Sequence, residues 1–200
     1  AIWINETNAS PNKDPNWPVE RPQFQVNLEQ QSAFLMQATG LALASGVERI
    51  AVYKMYDQNL PEGGESFGLL NPASQQPRPA FYTWKTIIEH LSGVDTAVTT
   101  ATDTAEVVKF DHQDGRQTFM IWARTDSLAQ VEIDATSDKA LHIDQLGHIT
   151  VLRPQDDAYR LDLPPARCDD NDGCAVGGRV SLLVQPGGES TVREITKDGP

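Results

Sequence analysis

The sequence has 200 residues and a formal net charge of −12, with 22% charged and 39% hydrophobic residues, the composition of an ordinary globular chain. So acidic a chain offers no basic patch for phosphates, which argues against nucleic acid and against an anionic membrane surface as partners. No apolar stretch is long enough to span a bilayer, and no secretory signal peptide is visible.

The chain begins with a predicted strand followed by a predicted helix. Residues 2–7 are apolar at first and end in polar residues, as a strand that leaves a core does. Asn27 with Gln30 three positions later resembles a capping box, and it predicts that a helix starts there and covers 28–45. Gly46 stands where a C-terminal cap glycine belongs.

A second strand and a second helix follow. Residues 49–57 are apolar, β-branched and aromatic, which predicts a strand. Pro79 fits the first turn of a helix. Apolar side chains share one face of that helix: Phe81, Trp84, Ile87, Ile88 and Leu91. Strand, helix, strand and helix in this order predict parallel strands joined by crossover helices.

After Gly93 the pattern changes to short strands separated by turn residues. The candidates are 105–110, 117–125, 129–134, 140–145, 148–152, 159–163 and 179–184. Short strands at this spacing, with Gly and Asp turns, are typical of an antiparallel β-sandwich. The predicted fold is therefore α/β plus all-β, with two βα units in residues 1–92 and a β-sandwich in residues 93–200.

Two βα units cannot close a barrel, and two parallel strands alone leave both sheet edges open. We therefore expect residues 1–92 to be part of a larger domain. The rest would come from a segment that precedes this chain, which would then be a fragment or a processed product, or from another chain.

Several phrases in residues 1–92 resemble the clan A retaining glycoside hydrolases, which are (β/α)8 barrels. WINETN resembles their seventh-strand nucleophile motif, and RIAVYKMYD resembles their eighth strand. FGLLNPASQQPRPAFYTWKTIIEHL is similar to the segment that opens their last barrel helix. Within the clan, the likeness is to the xylosidase and iduronidase type. A small β-sandwich often follows the barrel in such enzymes, so for residues 93–200 the resemblance rests on architecture alone.

The resemblance implies that Glu6 is the catalytic nucleophile of a glycosidase. Alternation along residues 2–7 places Ile2, Ile4 and Glu6 on one face, with Glu6 at the rim where barrel active sites lie. The acid/base glutamate of the clan usually follows an asparagine on the fourth strand, and Asn5-Glu6 is itself such a pair. Because only one further βα unit precedes the sandwich, the seventh strand fits better, and the acid/base carboxylate is then absent from this chain.

Other side chains near the same rim are candidates for sugar binding. They are Asn8, Trp17, Tyr53, Lys54, Tyr56 and Asp57. Aromatic rings there could stack on sugars, and Asp57 could bind a hydroxyl. Plain packing against helices is an equally ordinary role for residues of the second strand, and Trp17 could instead anchor its loop.

Cys168 and Cys174 are separated by five turn-forming residues, which suits a disulfide that closes a small loop, although two free thiols remain an alternative. A disulfide and a polysaccharide substrate would suggest a secreted or cell-surface protein.

No metal site and no cofactor is predicted: the four histidines share no spacing, and 169–172 lacks the pattern of a calcium-binding loop.

Two functional interpretations remain open on the sequence. The first is the C-terminal part of a retaining glycoside hydrolase that acts on the O-glycosidic bonds of an oligo- or polysaccharide and is inactive on its own. The second is a non-catalytic carbohydrate-binding or structural module with a β-sandwich.

Overall fold

The computed structural model describes residues 1–20, 22, 26–168 and 175–195. The helices are α1 (Leu28–Ala44) and α2 (Pro79–His90). The strands are β1 (Ile2–Thr7), β2 (Val47–Val52), β3 (Val94–Ala101), β4 (Ala105–His112), β5 (Arg116–Ala123), β6 (Ala129–Asp134), β7 (Ala140–Asp144), β8 (Ile149–Leu152), β9 (Ala158–Leu163), β10 (Ser181–Pro186) and β11 (Val192–Glu194).

The ends of the helices are fixed by local chemistry, as predicted. The Asn27 side chain accepts a hydrogen bond from the backbone of Gln30, whose own side chain accepts one from the Asn27 backbone, so the capping box is complete. Gly46 has φ of +81°, a conformation that glycine adopts without strain just past a helix end. Pro79 occupies the first turn of α2.

Strands β1 and β2 pair in parallel, with α1 as the crossover between them. Ile4 lies opposite Ile50, and Thr7 lies opposite Val52. Among the described residues these two strands form a sheet of their own, and it does not close into a barrel.

The rest of the chain forms two antiparallel sheets. One has six strands in the order β3-β4-β5-β10-β7-β8, and the other has three in the order β11-β6-β9. Alternate side chains fill the space between the sheets. The largest fully buried ones there include Phe119, Ile121, Ile133, Tyr159 and Leu163.

A second core lies on the outer face of the six-stranded sheet, where both helices pack. Leu35 and Met36 of α1 and Ile87 of α2 share one buried cluster with Met120 and Trp122 of β5. This cluster spans residue 93, so the βα part and the sandwich bury apolar surface against each other. No helix in the described part of the chain is long and apolar enough to cross a membrane.

The structure corrects the predicted elements in three places. Strand β2 ends at Val52, not at Asp57, because residues 54–55 pair through their carbonyls with the amides of residues 69–70. The sequence analysis missed β3, whose side chains are mostly exposed and so lack an apolar pattern, and β11, which has only three residues. Ile88 was placed on the buried face of α2, but it is 56% exposed.

Candidate functional site

The carboxyl ends of β1 and β2 lie side by side. The backbone carbonyl of Thr7 accepts a hydrogen bond of 3.0 Å from the backbone N–H of Tyr53, the residue that follows β2. Because the strands are parallel, Glu6 and the segment from Tyr53 to Asp57 emerge at the same edge of the sheet. Of the predicted site residues, Glu6, Tyr53, Lys54, Tyr56 and Asp57 lie at or just after these two strand ends, whereas Asn8 and Trp17 belong to the loop that follows β1.

Glu6 is exposed in an irregular stretch of β1. Three steps along β1, from Ile4 to Thr7, oppose only two along β2, from Ile50 to Val52. The extra residue makes a bulge, a feature that re-aims side chains and that is common next to active sites. Strict alternation therefore does not continue through Glu6, and the bulge determines where its carboxylate points.

Aromatic and cationic side chains follow directly after β2. Tyr53 is 39% exposed, and its ring centroid lies 5.9 Å from that of Phe67 in a tilted arrangement. Lys54 Nζ lies 5.0 Å from the centroid of the Tyr53 ring, within cation–π range. Tyr56 is also exposed, and its hydroxyl accepts a hydrogen bond from Gln58. The edge thus presents two tyrosine rings to solvent, a surface suited to stacking against sugars.

Asp57 is buried, and both of its carboxylate oxygens have protein partners. Oδ2 accepts hydrogen bonds from Ser66 Oγ (2.7 Å) and from Gly68 N (2.9 Å), while Oδ1 lies 3.1 Å from Lys54 Nζ. Burial alone would raise the pKa of Asp57, but these bonds to its charged form outweigh burial and lower it. The bond to Asp57 in turn raises the pKa of Lys54. Asp57 therefore holds together the loop of residues 53–78.

A buried ion pair joins this loop to the first long loop, and sequence reasoning missed it. Arg78 Nη2 lies 2.8 Å from Asp14 Oδ2, and the two side chains are 3% and 1% exposed. Arg78 Nη1 also donates to Ser66 Oγ (2.7 Å) and to the carbonyl of Gly68 (2.8 Å). Asn71 Nδ2 adds a bond of 3.3 Å to Asp14. In the sequence, Asp14 and Arg78 are distinguished only by a neighbouring proline in a polar loop, which does not predict that they pair.

Trp17 and Asn8 lie in the same loop region, and both are held by the 53–78 loop. Trp17 donates its indole N–H to the carbonyl of Gly64 (2.8 Å) and lines an open groove of about 1050 Å³. Asn8 donates to the carbonyl of Phe67 (2.6 Å) and accepts from Gln31 of α1 (3.3 Å). The indole N–H of Trp17 and the amide N–H of Asn8 thus each bind a backbone carbonyl of the 53–78 loop. Of these two side chains, the indole ring face of Trp17 is the part that could contact a ligand.

Cys168 belongs to the described residues, whereas Cys174 lies outside them, so the disulfide stays a prediction. Within the described ranges, no group of three or more His, Cys, Asp and Glu side chains is arranged to hold a metal ion.

Comparison with known proteins identifies relatives of the fold. No protein-family model matches the sequence, and no curated protein matches it. A family 39 glycoside hydrolase from the gut symbiont Bacteroides cellulosilyticus WH2 superposes with a TM-score of 0.65 at 18% identity, over 92% of this chain and 33% of that one. The catalytic domain of GH30 xylanase C from Talaromyces cellulolyticus gives 0.57 at 10% identity, over 92% of this chain and 40% of that one.

The chain therefore spans about a third to two fifths of the length of these two solved glycoside hydrolases. At such identities the likeness is one of fold. The predicted resemblance to glycoside hydrolases is confirmed at that level, as a mixed fold with antiparallel sheets.

Proposed function

We propose that this chain supplies the last two βα units and the accessory β-sandwich of a retaining glycoside hydrolase, with Glu6 as the nucleophile. The observation that carries the proposal is the position of Glu6. It is an exposed carboxylate in a bulge at the carboxyl end of a parallel strand, and the next strand ends beside it with exposed tyrosines. Carboxyl ends of parallel strands are where barrel enzymes place catalytic residues.

The proposal divides the chain into residues 1–92, a portion of a (β/α)8 barrel, and residues 93–200, the sandwich. Large apolar side chains on and just after the parallel strands support this division, since Ile2, Trp3 and Met55 are 58%, 54% and 44% exposed. Among the described residues, β1 and β2 also have no strand on their outer edges. Further barrel strands, on the same polypeptide or on a partner chain, would cover both.

In this enzyme the Glu6 carboxylate would attack the anomeric carbon and form a glycosyl ester, while a second carboxylic acid protonates the departing glycosidic oxygen. The second group then takes a proton from water, which hydrolyses the ester and restores Glu6. The two carboxyl groups must lie about 5 Å apart for this sequence. The second one would come from the missing fourth strand. The exposed rings of Tyr53 and Tyr56 and the half-buried ring of Trp17 would stack on the sugars of an oligo- or polysaccharide. Such a substrate fits a secreted or cell-surface enzyme.

The decisive experiment traps the intermediate in the protein assembled with its six further βα units. A 2-deoxy-2-fluoro glycosyl fluoride should esterify the nucleophile and stop there, because the fluorine slows hydrolysis of the ester. Peptide mass spectrometry should find the sugar on Glu6. Glu6→Gln should retain the fold and lose turnover by several orders of magnitude, since no covalent intermediate can form.

The matched control is Glu48→Gln. Glu48 is exposed at the amino end of β2, the end opposite to Glu6, and its loss should leave turnover unchanged. Label on a different carboxylate, or full turnover by Glu6→Gln, would refute the assignment of Glu6. A properly assembled protein that binds oligosaccharides without turnover would favour the non-catalytic module.

A further inference from the structure

A cavity of about 450 Å³ lies where the first turns of α1 and α2 meet the ends of β7, β9 and β10. None of its lining residues belongs to the strand edge that carries Glu6. Its volume lies within the range of small-molecule sites, about 300–1,000 Å³. The walls are largely apolar, formed in part by Leu28, Pro79, Leu146 and Pro164.

One buried polar side chain, Gln145, lines this cavity, and the N–H donors of its amide make no hydrogen bond to a described residue. Gln145 is 4% exposed, and its Oε1 accepts a bond of 3.2 Å from the backbone N–H of Val180. That bond fixes the orientation of the amide, because only the oxygen can accept. No described residue accepts a hydrogen bond from Nε2. The Nε2 atom is not fully buried and faces solvent, so its N–H groups can donate to a molecule held in the cavity.

The turn that carries Gln145 is held rigidly. Asp144 Oδ1 accepts hydrogen bonds from the backbone N–H groups of Leu146 (2.8 Å) and His148 (3.0 Å), and Asp144 Oδ2 lies 2.8 Å from His148 Nδ1. The amide of Gln145 is thus held in place from both sides, by its own turn and by Val180. A donor fixed in this way loses little entropy when it meets a ligand.

The charges around the cavity restrict what that ligand can be. Arg179, the cation among the lining residues, is paired with Glu29. His142 also lines the cavity, and burial lowers its pKa, so its ring is neutral at neutral pH. The carboxylates of Asp144 and Asp162 remain, and they repel an anion. A bare ammonium group cannot accept the hydrogen bond that Gln145 offers. The remaining class is a neutral molecule with oxygen acceptors and apolar C–H faces.

We infer that this cavity binds a neutral sugar unit, with one of its oxygens accepting a hydrogen bond from Gln145 Nε2 and its C–H faces against Leu146 and Pro79. The site is separate from Glu6 and does not depend on the proposed catalysis. A glycan could then be bound at this cavity whether or not one of its glycosidic bonds lies at Glu6.

The test titrates the ¹⁵N-labelled chain with methyl β-D-glucopyranoside and, separately, with its glucuronide counterpart. The glucoside should shift the side-chain amide of Gln145 and the backbone amides of residues 144–146 and 179–181. The glucuronide should bind at least about tenfold more weakly, because its carboxylate faces Asp144 and Asp162. Absence of shifts at these positions, or equal binding of the two glycosides, would overturn the inference.

Gln145→Glu tests the donor itself, since the carboxylate still accepts from Val180 but has no N–H to give. Affinity for the glucoside should fall at least about tenfold, the size expected for one lost hydrogen bond in a buried site. Gln113→Glu makes the same change in an exposed turn between β4 and β5 and should leave affinity unchanged. Unaltered binding by Gln145→Glu would rule out the assigned donor. Were that variant to lose its dispersed spectrum, the comparison of the two glycosides on the unmodified chain would decide.

Discussion

Arg78 is the residue on which the geometry of both long loops depends. It lies immediately before α2 and reaches Asp14 in the first loop as well as Ser66 and Gly68 in the second. Both charges of the pair are almost fully buried, so neither has water as an alternative partner. Removing one partner of such a pair costs far more than the net value of the pair, because an uncompensated charge stays behind.

We expect Arg78→Met to lower the free energy of unfolding by about 3–5 kcal/mol, since it leaves Asp14 charged and buried. Urea unfolding followed by tryptophan fluorescence would measure the change. The double variant Arg78→Met with Asp14→Asn should recover part of the loss, because no lone charge remains. A double variant no more stable than the single one would contradict this explanation.

Lys85→Met provides the control for the loss of a positive charge. Lys85 and Glu89 form an ion pair on the solvent face of α2, with side chains 65% and 52% exposed. Exposed pairs of this kind contribute about 0–1 kcal/mol, so this variant should stay close to the unmodified chain. Burial, rather than the number of charges, would then explain the effect at Arg78.

Among the elements, α1 connects the parallel strands to the six-stranded sheet. It crosses over between β1 and β2, packs against α2 and lies on the six-stranded sheet. Its close approach to the sheet depends on Gly40, where an added Cβ would lie 2.6 Å from Met120 Sδ and 3.5 Å from a methyl group of Val108. The sheet therefore packs directly against the backbone of the helix at this position.

Gly40→Val should destabilise the fold by about 1–3 kcal/mol, because the added methyl groups must displace the fully buried Met120. Thermal and urea unfolding would both register the loss. The control is Leu41→Val, which introduces the same β-branched residue one position along, where the side chain is 39% exposed, and should change stability by about 0.5 kcal/mol or less. Gly→Val raises helix propensity whereas Leu→Val lowers it, so equal destabilisation by the two variants, or none by Gly40→Val, would contradict the packing explanation.

On the scale of the whole molecule, the protein has three layers: two sheets with one core between them, and two helices with a second core on the outer face of the larger sheet. The parallel pair β1–β2 adds no fully buried side chain to these cores: its side chains are exposed or half-buried, and Val52 packs at the margin of the second core. The candidate site is thus built on a less buried part of the fold than the sandwich and the helices.

This division of the molecule leads to an expectation for the chain on its own. It should fold but show no turnover of aryl glycosides, because Glu6 would have no second carboxyl group to protonate the leaving oxygen. A fluorogenic screen across common sugars would measure this, with Glu6→Gln as the blank. Turnover that exceeds the blank would show that the acid/base group lies within these residues, and the proposed assembly would be wrong.

Features that depend on neighbouring residues follow from the sequence alone. Asn27 with Gln30, Gly46 and Pro79 marked helix ends because caps are made within one turn of chain. Strand β6 was predicted at its observed bounds, since Val131 and Ile133 alternate with polar residues and one face is buried. The WINETN phrase indicated a likeness to glycoside hydrolases, which the similarity of fold to two solved members confirms.

Features whose partners are far apart in the chain become visible only in the folded molecule. The Asp14–Arg78 pair joins residues 64 positions apart, and neither residue type indicates burial on its own. Strand β2 ends at Val52 because the following backbone pairs with residues 69–70, a choice that side-chain pattern does not encode. Gln145 Oε1 accepts its hydrogen bond from the backbone of Val180, 35 positions along the chain. Local chemistry sets the helix ends, but the end of β2, the buried ion pair and the Gln145 contact arise only from long-range packing.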